Sequence, residues 1–264
     1  MHYVRTGSGK PIVLVHGLGS SHRNWDLVLG ALAAEREVLA VDLPGFGKTP
    51  ALAEVSIASL TDALREFLDA EGLGDADVVG SSMGARMVLE LARRGHRGTV
   101  VALDPGGFWS DRQVKVFGTT ITASVALVSR IQSLLPFVTG NPIARTLALA
   151  QFSAAPWKLP QDLVLQELRG FSEAASPSLS DARKALIRGP RQEGAPAGTL
   201  QGKVVIGWGR QDLVTPASEA KVALERFPDA ELHWFDRCGH FPHWDQPQQA
   251  SELILKATHV SGNP

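Results

Sequence analysis

Gly80-Ser81-Ser82-Met83-Gly84 is the stretch whose residue types and spacing point most directly to chemistry. It matches G-x-S-x-G, a pattern that sets its middle serine, here Ser82, on a sharp turn from strand to helix with small residues on either side. The pattern alone is weak, since with 26 glycines in 264 residues chance supplies roughly 0.2 matches in a chain of this size. Its context adds weight: the strand-like Asp77-Val78-Val79 precedes it and a helical pattern follows from Met83. The bland alternative is a serine capping an ordinary helix. A serine hydroxyl is a poor nucleophile until a base takes its proton, and a histidine held by a carboxylate is the usual solution. Of the eight histidines, His240 lies in Cys238-Gly239-His240, just after the last strand-like run, where a loop can lay it beside Ser82; His243 is its nearest rival and His16 the next. Two carboxylates compete for the third position. Asp212 follows the run Lys203 to Gly207, and Asp104 ends the strand-like run before that.

These residues need a scaffold. Short β-branched runs at Pro11 to His16, Glu37 to Asp42, Ala76 to Ser81, Val100 to Asp104, Lys203 to Gly207 and Glu231 to Phe235 read as strands. Helical spacing of apolar residues marks Trp25 to Ala34, Ile57 to Glu71, Met83 to Arg94, Pro216 to Phe227 and Pro247 to His259. Alternation of the two predicts an α/β fold with a mostly parallel, doubly wound sheet. Between about Ser110 and Ala197 no strand pattern occurs, and prolines at 136, 142, 156, 160, 177, 190 and 196 punctuate helix-like segments. The expected organisation is a core of residues 1–109 and 197–264 with a helical lid, residues 110–196, inserted.

The chain resembles the α/β-hydrolase superfamily, in its serine-nucleophile, esterase-like branch with a helical cap, and the likeness runs from His16 to Pro247. It is carried by Val13-Leu14-Val15-His16-Gly17-Leu18-Gly19-Ser20-Ser21, by Asp42-Leu43-Pro44-Gly45-Phe46-Gly47, by the turn around Ser82, by Gly207-Trp208-Gly209-Arg210-Gln211-Asp212 and by Gly239-His240-Phe241-Pro242. Serine, aspartate and histidine then fall in that family's chain order. The resemblance implies Ser82 as nucleophile, His240 as base and Asp212 as the carboxylate, with the N–H groups of Met83 and Leu18 stabilising an oxyanion and Gly19 as the substitute for Leu18. It also implies that His16 holds the oxyanion loop by hydrogen bonds. Ser81 departs from the histidine or other bulky residue that many relatives carry there. Trp109, Phe137 and Trp157 in the lid and at its entry, with Phe241 beside His240, are the candidate pocket residues, and an uncharged, largely apolar acyl substrate is expected.

Composition narrows the alternatives. With 44% hydrophobic and 20% charged residues the chain can bury a sizeable core, and 26 basic against 27 acidic side chains leave a net charge of −1. No basic run offers a footprint for nucleic acid, so the expected partner is a small-molecule substrate. Cys238 is the only cysteine, which rules out an intrachain disulfide; it reads as a small buried hydrophobe. Asp42 reads as a turn carboxylate satisfying backbone N–H groups. His2 is terminal, and His22, His96, His233 and His259 are expected to be solvated. Outside the Ser82, Asp212 and His240 set, no His, Cys and carboxylate cluster is expected, and hence neither metal nor organic cofactor. The first residues lack the regions of a signal peptide, and Ile121 to Val138 carries Arg130, Gln132 and Pro136. A cytoplasmic monomer or homodimer without stable membrane insertion is expected. Cleavage of carboxylic esters is the leading function. Lactone, thioester or carbon–carbon bond hydrolysis on the same fold comes next, the last because Asn24-Trp25 echoes that branch although its Gly-Pro-Gly is absent. A non-catalytic ligand receptor is the remaining alternative.

Overall fold

Ile12, Val13, Leu14 and Val15 are all fully buried, which an alternating half-exposed strand cannot achieve and a strand covered on both faces requires. In the computed structural model, which describes residues 1–259, they form β2 (Pro11–Val15). Its neighbours are β1 (Tyr3–Thr6), β3 (Glu37–Val41), β4 (Asp77–Ser81), β5 (Val100–Leu103), β6 (Val204–Gly209) and β7 (Glu231–Phe235) in one sheet of order β1-β3-β2-β4-β5-β6-β7. Every pairing is parallel except β1 with β3, whose register runs Tyr3 opposite Val41 to Thr6 opposite Val38. Strand β1 was not expected from the sequence: four half-exposed residues on an edge carry no hydrophobic alternation to announce it.

The pleat divides the core in two. Val13, Val15, Leu39, Val41 and Val78 pack on one face with α2 (Ile57–Ala70) and α3 (Met83–Arg93). Ile12, Leu14, Val38, Ala40 and Val79 pack on the other with α1 (Asp26–Ala33) and α11 (Pro247–Thr258). The chain passes from β2 to β3 on one side and returns across β2 to β4 on the other, so the order reverses between β2 and β4. In open sheets of this kind the crevice at the carboxyl ends of the strands beside such a reversal is where ligands bind.

Between β5 and β6 the chain forms α4 (Asp111–Arg130), α5 (Leu135–Gly140), α6 (Pro142–Leu149), α7 (Gln161–Gly170) and α8 (Leu179–Arg188). No strand interrupts them among the described residues. Prolines begin these helices rather than only ending them: Pro136 and Pro142 occupy the first positions of α5 and α6, where a missing N–H costs nothing. Ser110 and Gln113 close a capping box on α4. Arg145 is buried and ties the segment together by donating to the carbonyls of Thr139, Pro156 and Trp157. Among the described residues no single helix is long and apolar enough to cross a membrane; α4 and the stretch Gln132–Gly140 pass that test only together, and they are bent by 71°. After β6 the core adds α9 (Glu219–Arg226), which starts three residues later than the sequence suggests, and α10 (Pro242–Asp245), just ahead of α11. Residues 260–264, at the end of the expected core, lie outside the described residues.

Candidate active site

Ser82 stands between the last residue of β4 and the first of α3, with φ 56° and ψ −112°, a left-handed conformation that a non-glycine residue adopts only under local constraint. The constraint is close packing. A Cβ at Gly80 would lie 2.3 Å from the Gly84 carbonyl oxygen and one at Gly84 would lie 2.2 Å from that of Val15, so only glycine fits on either side of the turn. Ser81 is fully buried, with a hydroxyl that has no hydrogen-bond partner, whereas Ser82 is partly open.

The loops after β4, β6 and β7 converge there. Ser82 Oγ lies 2.8 Å from His240 Nε2, and His240 Nδ1 lies 2.8 Å from Asp212 Oδ2. A carboxylate only accepts, so Nδ1 carries the proton and Nε2 is left to accept from the Ser82 hydroxyl. Asp212 also accepts from the N–H groups of Val214 and Thr215 and, at 2.6 Å, from the Thr215 hydroxyl. Burial pushes its carboxyl up, but the charge and hydrogen bond of His240, with the donors around it, hold it below the usual carboxylate range.

The alternatives are placed differently. Asp104, at the end of β5, is fully buried; its Oδ1 accepts from the Gly209 N–H at 2.8 Å and its Oδ2 has no partner among the described residues. It lies in the same cluster, within 4.8 Å of Asp212 and His240, and burial together with the Asp212 charge raises its carboxyl well above the ordinary value. His243 faces away from Ser82: its Nε2 meets Asn24 Oδ1 at 2.8 Å and its ring packs on Trp25. Burial lowers it to about 3. His16, lowered by burial to about 4, joins the Gly17 carbonyl at 2.7 Å and accepts from the Leu43 N–H at 3.0 Å, bracing the loop after β2. On that loop the Leu18 N–H, and at the start of α3 the Met83 N–H, donate no hydrogen bond among the described residues. Cys238 is buried, and burial pushes its thiol up.

Beside this cluster lies a cavity between the loop after β2, the helices α4, α6 and α7, and Phe241 and Trp244. Its wall includes Gly17, where a Cβ would stand 3.1 Å from that of Ser82, so cavity and hydroxyl adjoin. Of the four pocket residues expected from the sequence, Phe241 lines it. The other three are corrections: Trp109 is buried and stacked on Phe117 with ring centroids 4.8 Å apart, while Phe137 and Trp157 are 73% and 51% exposed. An aromatic residue in a helical segment is equally able to fill a core or face solvent, and composition does not separate these. Phe152, Phe171 and Glu167 stand in the cavity wall instead. Two further expectations need revision. His22 bonds Asp42 and His96 is buried against the Ala76 carbonyl, so neither is simply solvated. His2, His22 and Asp42 also form a second cluster within 4.8 Å. Their contacts of 2.8 and 2.9 Å have hydrogen-bond length, and Asp42 accepts as well from the N–H groups of His22 and Lys48, as a turn carboxylate should. Thr215, Asn24 and Glu167 were not foreseen as site residues; Glu167 is brought to the loop after β2 across 147 residues of sequence.

Comparison with known proteins agrees with this architecture. Residues 12–253 match the alpha/beta hydrolase family, and the chain belongs to it. It is 30% identical, over 94% of its length, to a dihydrolipoyllysine-residue acetyltransferase component of the acetoin cleaving system of Pseudomonas putida, of which it spans only 63%. A 2-hydroxy-6-oxo-6-phenylhexa-2,4-dienoate hydrolase of Burkholderia cepacia is 24% identical, the match covering 97% of the chain and 90% of that protein. An esterase from Exiguobacterium antarcticum shares the fold with a TM-score of 0.77 at 19% identity, covering 97% of this chain and 94% of that one.

Proposed function

We propose that the chain is a serine hydrolase that cleaves carboxylic esters of small to medium, largely apolar acyl groups through an acyl-enzyme. The observation that carries this reading is the line of contacts from Ser82 Oγ to His240 Nε2 and from His240 Nδ1 to Asp212, each 2.8 Å. In it, Ser82 Oγ attacks the ester carbon while its proton passes to His240 Nε2; Asp212 steadies the imidazolium, which then protonates the departing alcohol. Water, deprotonated by His240, releases the acid and restores Ser82. The free N–H groups of Leu18 and Met83 receive the negative oxygen, the latter helped by the start of α3. Residues 110–196 serve as a lid over the acyl cavity, and this chemistry calls for no metal or organic cofactor.

A second reading, hydrolysis of a carbon–carbon bond, is favoured by the likeness to the Burkholderia cepacia hydrolase and by Asn24-Trp25 after the loop. One experiment separates the readings: turnover of a panel of p-nitrophenyl esters, alongside labelling by a fluorophosphonate probe. Ester turnover and labelling lost together in Ser82→Ala support the first. Labelling at Ser82 without turnover of any ester or lactone shifts the assignment to the second, and no labelling at all to a ligand-binding role.

A further inference from the structure

Glu167 is the one ionisable side chain in the cavity wall, and nothing in the proposed ester chemistry uses it. It stands on α7, 5% exposed, amid Leu149, Phe152, Leu168 and Phe171. A buried carboxyl in apolar surroundings is costly unless its hydrogen bonds are met. Two are met. Oε2 accepts from Asn24 Nδ2 at 3.2 Å, and Oε1 lies 2.9 Å from Ser20 Oγ. The sense of the first bond is fixed from behind. His243 is neutral and places its Nε2–H on Asn24 Oδ1, so the Asn24 amide nitrogen must point at Glu167. A proton on Glu167 therefore belongs on Oε1, next to Ser20. There the pair holds two hydrogens for one mutual contact. The other hydrogen has only the Ser21 carbonyl, 3.4 Å from Ser20 Oγ, a bond long enough for an oxygen in the cavity to replace.

We propose that the Ser20–Glu167 pair is the selectivity element of this cavity, taking acyl groups that carry a hydrogen-bond-accepting oxygen, as carbonyl, ether or hydroxyl, in preference to plain hydrocarbon chains. This rests on the ester reading of Ser82. The position of the oxygen follows from the loop: Ser20 is two residues beyond Leu18, at most about 7 Å along the chain. The accepting oxygen thus belongs a few bonds from the scissile carbonyl. A plain chain leaves that hydrogen on its long bond to the Ser21 carbonyl, and the better bond to a substrate oxygen is what favours the choice.

The test uses two p-nitrophenyl esters of equal chain length, one with a single ether oxygen near the carbonyl, and compares their kcat/KM ratio in wild type and variants, which cancels intrinsic reactivity. In Glu167→Leu the preference for the ether ester should fall about tenfold or more, as the loss of one buried hydrogen bond implies. Ser20→Ala should lower it in the same direction, and Glu167→Gln, which can still donate, should keep most of it. Should Glu167→Leu fail to fold, Ser20→Ala decides alone. The wild-type ratio should also fall as pH rises through about 8, where burial has placed the Glu167 carboxyl, because an ionised Glu167 turns both donors toward itself. Arg23 ahead of α1, Asp26 at its first position, Asp162 on α7 and neutral His243 behind Asn24 are the charged or titratable groups facing it. The Glu167→Gln ratio should stay flat over that range. An unchanged ratio in Glu167→Leu and Ser20→Ala overturns the proposal. If wild type turns over neither ester, the ester reading fails separately; binding of the two esters to Ser82→Ala, followed by tryptophan fluorescence, then judges the cavity alone, equal affinities counting against it.

Discussion

The sheet and the helical segment between β5 and β6 bury their apolar residues to different degrees. In the sheet, β2, β4, β5 and β6 are closed on both faces, and their carboxyl ends hold Ser82 and Asp212 in backbone geometries that packing dictates. In the helical segment the apolar surface is incompletely covered. Of the eight large hydrophobic side chains exposed among the described residues, all but Leu213 lie there, Phe137, Ile143 and Leu147 being the most open at 73% to 77%. Its polar ties are few and particular, such as Arg145 to three carbonyls and Glu167 to Ser20 and Asn24. The difference teaches a division of labour: the atoms proposed to react are held by the part that cannot shift without loss of fold, and the proposed substrate wall by the part with the less covered apolar surface.

The largest effect should therefore come from the sheet. Ser82→Ala is expected to lower kcat for ester hydrolysis by roughly five to six powers of ten, and His240→Ala by nearly as much, because members of such a set act as a unit. Ser81→Ala should retain much of the activity, since its buried hydroxyl faces no substrate. Steady-state kinetics on the three variants check this; equal loss in Ser81→Ala and Ser82→Ala would break the assignment of the chemistry to the turn.

Next comes the carboxylate. Asp212→Asn is expected to fold yet lose about four powers of ten in kcat, because an amide neither offsets imidazolium charge nor accepts where the Nδ1–H must be received. Asp104→Asn should cost much less: its carboxyl, which burial and the Asp212 charge raise well above the ordinary value, accepts from the Gly209 N–H rather than holding His240. Circular dichroism must accompany the kinetics, because both side chains accept backbone N–H groups that hold loops. A folded, inactive Asp104→Asn with an active Asp212→Asn would move the acid to β5.

How much of this was written in the sequence follows the same division. The strands β2 to β6 were legible because burial on two faces demands continuous runs such as Val13-Leu14-Val15, and the turn at Ser82 because close packing admits only glycine at positions 80 and 84. The mutual approach of Ser82, Asp212 and His240 was approachable because each ends or follows a strand. The wall of the cavity was not. Phe137 and Trp157 look no different in sequence from Phe152 and Phe171, and only the packing of α4, α6 and α7 sends one pair to the surface and the other inward. The tie between Ser20 and Glu167 depends on tertiary packing that no local pattern encodes.

The helical segment should yield first to a weaker perturbation. Arg145→Leu removes the donors to the Thr139, Pro156 and Trp157 carbonyls, a loss of order 1–3 kcal/mol. Hydrogen exchange should show faster opening across residues 135–158 with β2, β4 and β6 unchanged. Uniform loss of protection through the sheet would instead mean that the two regions unfold as one, and would erase the contrast.

The last effect joins the two regions and has a definite sign. Burial raises the Glu167 carboxyl from its ordinary 4.5 to about 8, against the opposing hydrogen bonds of Ser20 and Asn24, so between those values the folded chain holds a proton that the unfolded chain has released. A group shifted in this direction contributes stability that is complete below its unfolded value and lost as pH rises through its folded one. Wild type should accordingly lose stability relative to Glu167→Gln as pH is raised from about 4.5 to about 8, with no further relative change beyond. Denaturant midpoints of both proteins across that range check it, and the difference between the two proteins cancels the titration of Glu219 and the buried histidines, which they share. Because Glu167 bridges α7 to the loop that carries Leu18, the loss should appear first as faster exchange in 161–170. A relative stability that rises with pH would mean that Glu167 is ionised where it stands, and that the helical segment is held to the loop by charge rather than by a shared proton.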